Sequence, residues 1–212
     1  MEVDITRINS YDDDRFSATV LIQHGAFLVD GKSPYEVEII GANEAVVRGE
    51  RPELYEQIIE EFRFYAEHIT QFYDEKGALI QKFPDVHKFQ INLEDIQPSQ
   101  FYVDRDKKRA VASFTATEKD VIIPLLPYGE RYISLDGHTR MSVAIDRGLK
   151  QICGFLVEEA EYIYPFVEEA VKRNILTPYD MEELPHDEYE IKWNKFCEEF
   201  FKKGDTMIGE WT

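Results

Sequence analysis

The segment YISLDGHTR, residues 132–140, decides how the second half of the chain is expected to fold. An apolar run with strand character passes directly into Asp136 and Gly137, and a helical pattern begins at the next residue. Glycine can adopt the positive φ that a sharp strand-to-helix turn requires. The first turn of a helix has unpaired N–H groups and a partial positive charge, so it favours phosphate. The segment therefore predicts a helix over residues 138–147 whose start faces a cleft.

The side chains at this junction suit an anion, and each also has a purely structural interpretation. His138, Thr139 and Arg140 would add donors to a phosphate in the first helical turn. Asp136 could coordinate Mg²⁺ or accept a hydroxyl proton. In the alternative interpretation Asp136 caps the helix, Gly137 relieves backbone strain and Arg140 pairs with a nearby acid. The pattern alone leaves both interpretations open.

Apolar runs on either side of the junction predict the remaining elements of this half. The chain after residue 162 reads as mainly helical, and a charged run at residues 105–109 reads as a solvated loop or as a grip for a nucleotide tail. The strands are predicted at residues 89–93, 121–123, 131–135 and 152–157.

Residues 16–80 predict a separate small antiparallel sheet with one helix. Apolar side chains at helical spacing indicate a helix over residues 53–69, and residues 72–80 predict a closing hairpin. The other strand-like runs cover residues 18–22, 26–29, 35–40 and 44–48, with turn residues between the later ones. The pattern restarts near residue 85, which predicts two domains, 1–85 and 86–212.

The composition excludes several classes of protein. A hydrophobic content of 43% supplies a real core and rules out wholesale disorder. No run of 18 apolar residues is present, so no membrane-spanning helix is expected. The first 15 residues lack the apolar region of a secretion signal, which favours a cytoplasmic protein. Cys153 and Cys197 match neither a metal spacing nor a disulfide framework.

The charge is large and unevenly spread. The net charge of −18 argues against nucleic-acid binding, which needs surplus Lys and Arg. Residues 1–85 carry 18 acids and 8 bases, and residues 151–212 carry 15 acids and 6 bases, whereas residues 86–150 carry 9 acids and 10 bases. An anion therefore meets the weakest opposing field in the middle third, which holds residues 132–140.

Three blocks of sequence resemble the ParB/sulfiredoxin-like superfamily, and most closely its free-serine kinase branch. The block LDGHTR at residues 135–140, followed by Ala144 and Gly148, resembles the signature of the superfamily. INLEDIQPSQFY at residues 91–102 resembles the opening strand and turn of that branch. The third block resembles its helical tail through Ile175, Tyr179, Asp180, Tyr189 and Trp193. The resemblance spans about residues 86–200, and residues 1–85 match no family.

The resemblance implies an α+β fold, with a ParB/sulfiredoxin-like mixed sheet and helices following the smaller antiparallel sheet and helix. It also implies a nucleotide whose phosphates lie at the helix start: ATP or ADP, with CTP as an alternative, together with Mg²⁺. Asp136 would serve the metal or the substrate. The residues implied in nucleotide binding are Gly137, His138, Thr139, Arg140, Ser99 and Gln100.

The general base is the least defined part of the resemblance. Free-serine kinases use an early glutamate, and Glu94 lies in the matching strand and turn. Asp104 follows it, so Glu94, Asp104 and Asp136 are the candidate catalytic acids. Glu94 and Asp104 also have an ordinary interpretation as solvated surface acids.

Three functions compete. The first is a nucleotide- and Mg²⁺-dependent phosphotransferase acting on a small hydroxyl substrate such as free serine. The second is a non-catalytic ParB-like module that binds a nucleotide or a partner. The third is a DNA-binding or nuclease role, against which the acidic charge argues. We expect small molecules as partners, and neither nucleic acid nor membrane.

Overall fold

The computed structural model describes residues 3–8, 10, 12–64, 66–113, 115, 117–157 and 161–200. The chain divides into two compact units, Met1–His87 and Lys88–Thr212, and both are mixtures of strands and helices. The fold is therefore α+β. In the described part of the chain, no helix combines the length and the apolar character needed to cross a membrane.

The first unit is a six-stranded sheet with two helices. Its strands follow the order β1-β2-β3-β4-β5-β6, and every neighbouring pair is antiparallel except β4 with β5. A short 3₁₀ turn at Pro52–Leu54 leads into α2. The elements in chain order are β1 (Ile5–Arg7), α1 (Ala18–Ile22), β2 (Ala26–Val29), β3 (Ser33–Ile39), β4 (Glu44–Gly49), α2 (Tyr55–Arg63), β5 (Gln71–Tyr73) and β6 (Leu79–Lys82).

Three predicted strands and the closing hairpin of this unit are present, β1 was not predicted, and three further predictions are wrong. Residues 18–22 form helix α1 rather than a strand, because the Ser17 hydroxyl caps it by accepting the Val20 N–H at 3.2 Å. The sheet is not wholly antiparallel, since α2 carries the chain across and β5 enters parallel to β4. Helix α2 ends at Arg63, so Ile69 reaches the core from a loop.

The second unit is built on a five-stranded mixed sheet in the order β7-β12-β10-β11-β8, and β9 pairs separately with β13 in parallel. After α6 the chain forms a π-helical turn, Glu190–Asn194, and remains helical to residue 200. The elements are β7 (Lys88–Asn92), β8 (Ile96–Pro98), β9 (Tyr102–Asp104), α3 (Arg105–Ala112), β10 (Ile122–Tyr128), β11 (Arg131–Ser134), α4 (His138–Asp146), β12 (Gln151–Leu156), α5 (Tyr164–Lys172), β13 (Glu182–Leu184) and α6 (His186–Tyr189).

The basic run at residues 105–109 is helical, which corrects the expectation of a loop. Helix α3 forms because the Asp104 carboxylate accepts the N–H groups of Asp106 and Lys107, at 2.8 and 3.4 Å. One lysine of the run is paired with two acids of the same unit. Lys108 Nζ lies 2.7 Å from Asp146 and 2.8 Å from Glu183.

The core of the second unit fixes the junction between β11 and α4. Met141 and Ala144 of α4 are fully buried in one cluster with Ile123 and Leu125 of β10 and Ile152 of β12. Strand β11 pairs antiparallel with β10 and parallel with β8. The end of β11 and the start of α4 are therefore held on one side by the sheet and on the other by the packed helix.

Candidate functional site

The turn between β11 and α4 has a backbone that strongly favours glycine. Gly137 immediately precedes the helix and has a φ of +80°, in the left-handed region. A Cβ at this position would lie 2.2 Å from Cδ1 of Ile123 and 3.2 Å from the Arg140 guanidinium. Because glycine has no side-chain acceptor, the N–H groups of the first turn of α4 receive none from the capping residue.

Asp136 and Arg140 form an ion pair over this turn. Arg140 Nη2 lies 3.1 Å from Asp136 Oδ2, and Nη1 donates to the Ile122 carbonyl at 2.7 Å. The carboxylate side chain is 53% exposed and the arginine side chain 24%. This ion pair agrees with the alternative interpretation of the sequence, in which Arg140 pairs with a nearby acid. The backbone contact to Ile122 holds the guanidinium beside Gly137, while its second nitrogen faces an exposed acid.

The His138 ring is part of a buried network. The ring is 5% exposed, and its Nε2 lies 3.2 Å from the Ser99 N–H, 3.2 Å from Ser99 Oγ and 3.1 Å from Ser134 Oγ. The Ser99 N–H can only donate, so Nε2 accepts and the ring is neutral. Burial lowers the pKa of His138 from its ordinary 6.5 to about 4. What this residue can offer a ligand is therefore its backbone N–H rather than its ring.

Ser99 belongs to the same network. Its hydroxyl donates to the Ser134 carbonyl at 2.8 Å, and the residue is buried. The network ties the turn after β8 to the end of β11. Ser99 and His138 thus lie beneath the junction and position it, whereas Thr139 is half-buried in the first turn of α4.

The remaining predicted residues are placed in other contacts. The Gln100 amide nitrogen donates to the Tyr102 carbonyl and to the Tyr189 hydroxyl, the latter at 3.2 Å, so it contacts the C-terminal helical part. Glu94 lies in the 3₁₀ turn Leu93–Asp95 with an exposed side chain. Its carbonyl accepts a hydrogen bond from Arg131 at 3.2 Å.

Asp104 is fully buried and its carboxylate is already used. One oxygen caps α3, and Oδ2 lies 2.7 Å from Nδ1 of His186. This corrects its interpretation as a solvated surface acid, because the start of α3 and His186 enclose it. Sequence reasoning missed the pair with His186. The two residues are 82 positions apart, and only the pairing of β9 with β13 brings them together.

The residues fit a divalent cation only in a limited way. In the part of the chain that the structure describes, no three or more His, Cys, Asp or Glu side chains are grouped to hold a metal ion. Asp136 supplies one exposed carboxylate. One carboxylate together with substrate phosphates and water is a usual environment for Mg²⁺. Among the described residues the junction therefore offers a single carboxylate, that of Asp136, to a cation.

Comparisons with known proteins assign no family to this chain. No protein-family model matches the chain, and no curated protein matches it. A crystal structure of protein Atu1540 from Agrobacterium tumefaciens is similar over 47% of this chain and 63% of that chain, with 12% identity and a TM-score of 0.34. The similar region thus spans less than two thirds of that protein.

Proposed function

We propose that the second unit binds the phosphates of a nucleotide at the start of α4. We further propose that the protein is a nucleotide- and Mg²⁺-dependent phosphotransferase acting on a small hydroxyl compound such as free serine. The observation that carries the proposal is a single junction in which a left-handed Gly137, a helix start without a side-chain cap and the Arg140 guanidinium coincide. The resemblance of residues 135–140 to nucleotide-binding proteins supports the same conclusion.

The start of α3 shows what a structural helix start looks like in the same unit. There the Asp104 carboxylate takes the N–H groups of Asp106 and Lys107. At the start of α4 the equivalent position is Gly137, and the nearest carboxylate, Asp136, is turned to Arg140 instead. An oxyanion arriving at α4 therefore meets helix N–H groups and a guanidinium together.

Phosphate binding requires Arg140 to exchange one partner. An exposed ion pair such as Asp136 with Arg140 is worth only about 0.5 kcal/mol. A charge-assisted contact between Arg140 and phosphate contributes about 1.5–3 kcal/mol. The exchange is thus favourable, and Nη1 can remain on the Ile122 carbonyl throughout. The Asp136 carboxylate would then face the magnesium ion carried by the same phosphates.

Phosphoryl transfer depends mainly on positioning and on neutralising phosphate oxygens, which Arg140 and Mg²⁺ would supply. The catalytic acids are less complete. Asp104 is buried and engaged with α3 and His186, which leaves Glu94 and Asp136 as exposed carboxylates. This observation favours a second candidate function, a non-catalytic ParB-like nucleotide- or partner-binding module. ATP or ADP is the proposed nucleotide, with CTP as the alternative.

Calorimetry with ADP, ATP and CTP, each with Mg²⁺ and with EDTA, tests the binding proposal. Arg140→Ala should weaken binding about ten- to a hundredfold, and Arg140→Lys should restore only part, because an ammonium group cannot hold two oxygens in a plane. In EDTA, Asp136→Asn should bind about two- to fivefold more tightly, because Arg140 is released from its ion pair. Arg109→Ala is the matched control, since that arginine is 72% exposed on α3.

The proposal fails if no nucleotide binds at millimolar concentration, or if a folded Arg140→Ala protein binds like the wild type. Phosphoserine formed from serine and nucleotide, and lost in Asp136→Asn, would establish the transferase. Binding without turnover would favour the non-catalytic module.

A further inference from the structure

We propose that His186 and Asp104 form a pH-sensitive, hydrogen-bonded ion pair that holds the C-terminal segment, residues 186–200, against the rest of the second unit. Nδ1 of His186 lies 2.7 Å from Oδ2 of Asp104. The aspartate side chain is fully buried and the imidazole is 54% exposed. His186 is the first residue of α6, so this contact lies at the point where the segment begins.

The Asp104 carboxylate is held in place by a second set of hydrogen bonds. Its other oxygen accepts the N–H of Asp106 at 2.8 Å and of Lys107 at 3.4 Å, which caps α3. The carboxylate therefore keeps its position when the histidine changes its charge. A buried carboxylate is stabilised most by a cationic partner, so a protonated His186 binds it more strongly than a neutral one.

The rest of the segment is attached mainly through aromatic side chains that are partly exposed. Of residues 186–200, all of which the structure describes, only Tyr189 is buried. Its half-buried rings pack on two buried rings of the unit: Trp193 and Phe196 lie 4.8 and 5.0 Å from Phe101, and Phe200 lies 4.4 Å from Phe166, between ring centroids. The Tyr189 hydroxyl also accepts a hydrogen bond from the Gln100 amide at 3.2 Å. Residues 190–194 form a π-helical turn, a rare helical form. Because only one side chain of this terminal segment is buried, its local opening costs less free energy than global unfolding, and a charged contact at its first residue changes that cost measurably.

The charges around His186 favour its protonated form. The hydrogen bond and charge of Asp104 raise the pKa of His186 first, and Glu190 of the segment and Asp106 of α3 add to this. Lys107 lies over the Tyr189 ring, 5.3 Å from its centroid. On β13, Glu183 is paired with Arg105 and Lys108.

The sign of the pH effect follows from these contacts. Because the pKa is higher when the segment is docked, docking is favoured at pH values below the ordinary histidine range. This contribution is lost as the pH rises through the docked-state pKa.

The test follows the segment in the full chain carrying Trp211→Phe, so that Trp193 is the remaining tryptophan. Acrylamide quenching of Trp193, and hydrogen exchange of residues 189–200 corrected for the intrinsic rate, are compared at pH 6 and pH 8. We expect the opening constant to rise about two- to fivefold from pH 6 to pH 8, a modest change because the imidazole is half exposed.

Two variants and one control isolate the contact. His186→Gln removes the titrating group, and Asp104→Asn removes the charge while its amide oxygen can still cap α3. Both should abolish the pH step, and His87→Gln should keep it. A step of unchanged size in His186→Gln and Asp104→Asn, or a wild-type segment equally protected at both pH values, would overturn the proposal.

Discussion

Two strand-to-helix junctions in the second unit treat the unpaired N–H groups at the start of a helix in opposite ways. At the junction from β9 to α3, the Asp104 carboxylate is buried and satisfies the first N–H groups of the helix. At the junction from β11 to α4, Gly137 occupies the capping position and the carboxylate of Asp136 is exposed and paired with Arg140. A side-chain cap at α3 satisfies the first N–H groups within the protein, whereas the start of α4 has no side-chain cap, which is the arrangement that the proposed phosphate site requires.

The largest change in stability is expected when one methyl group is added at the α4 junction. Gly137→Ala should destabilise the second unit by about 3–5 kcal/mol, because it combines left-handed backbone strain with overlap on Ile123. Gly148→Ala is the matched control at the other end of α4. It has a φ of +73° with nothing within 4 Å of its Cβ position, and should cost about 1–2 kcal/mol. Urea unfolding of both variants measures the difference, and equal losses would show that Ile123 does not constrain the turn.

The two junctions should also respond oppositely to pH. His138 is buried beside the α4 junction and its pKa is lowered to about 4. Its contribution to the free energy of unfolding is therefore fully present above the ordinary pKa of 6.5 and is lost as the pH drops from 6.5 toward 4. His186 at the α3 junction has a raised pKa and contributes in the opposite direction.

From pH 7 to pH 5 we expect the His138 contribution to cost about 2 kcal/mol of unfolding free energy. Urea titrations of the wild type and of His138→Asn at both pH values measure it, with His87→Gln as the control. The same pH dependence in His138→Asn as in the wild type would assign the loss to other groups.

The smallest effect concerns the two aspartates that distinguish the junctions. Asp104→Ala should destabilise the second unit by about 1–2 kcal/mol, because it leaves the start of α3 uncapped. Asp136→Ala should change stability by no more than about 0.5 kcal/mol, since the side chain is 53% exposed and its pair with Arg140 is a surface contact. Thermal unfolding compares them directly. A larger loss in Asp136→Ala than in Asp104→Ala would contradict the structural role assigned to Asp104.

The α4 junction was largely predictable from sequence, and the α3 junction was not. Residues 132–140 carry a local pattern of apolar strand, Asp-Gly and helix, which predicts α4 within one residue of its observed end. The cap of α3 is local, and it was missed because the charged run that follows Asp104 was interpreted as a loop. The partner of Asp104, His186, depends on the pairing with β13, nearly 80 residues away, so no local pattern signals it. The burial of His138 was missed for the same reason, because Ser99 and Ser134 come from different strands and their turns.

The strand expected at residues 18–22 was wrong because a local cap outweighed β-branched composition. Thr19, Val20 and Ile22 favour strands, but the Ser17 hydroxyl stabilises the first turn of α1. Val20 and Leu21 are then buried by the helix in a small cluster with Phe16.

The most direct test of the central claim follows backbone amide resonances of the full chain while ADP and Mg²⁺ are added. The account predicts saturable shifts at His138, Thr139 and Arg140, with the shifts at Arg105, Asp106 and Lys107 remaining small because Asp104 already caps that helix. Arg140→Ala should move the titration to higher nucleotide concentration without changing which amides respond. Saturable shifts at the start of α3 with none at the start of α4 would contradict the assignment of the phosphate site.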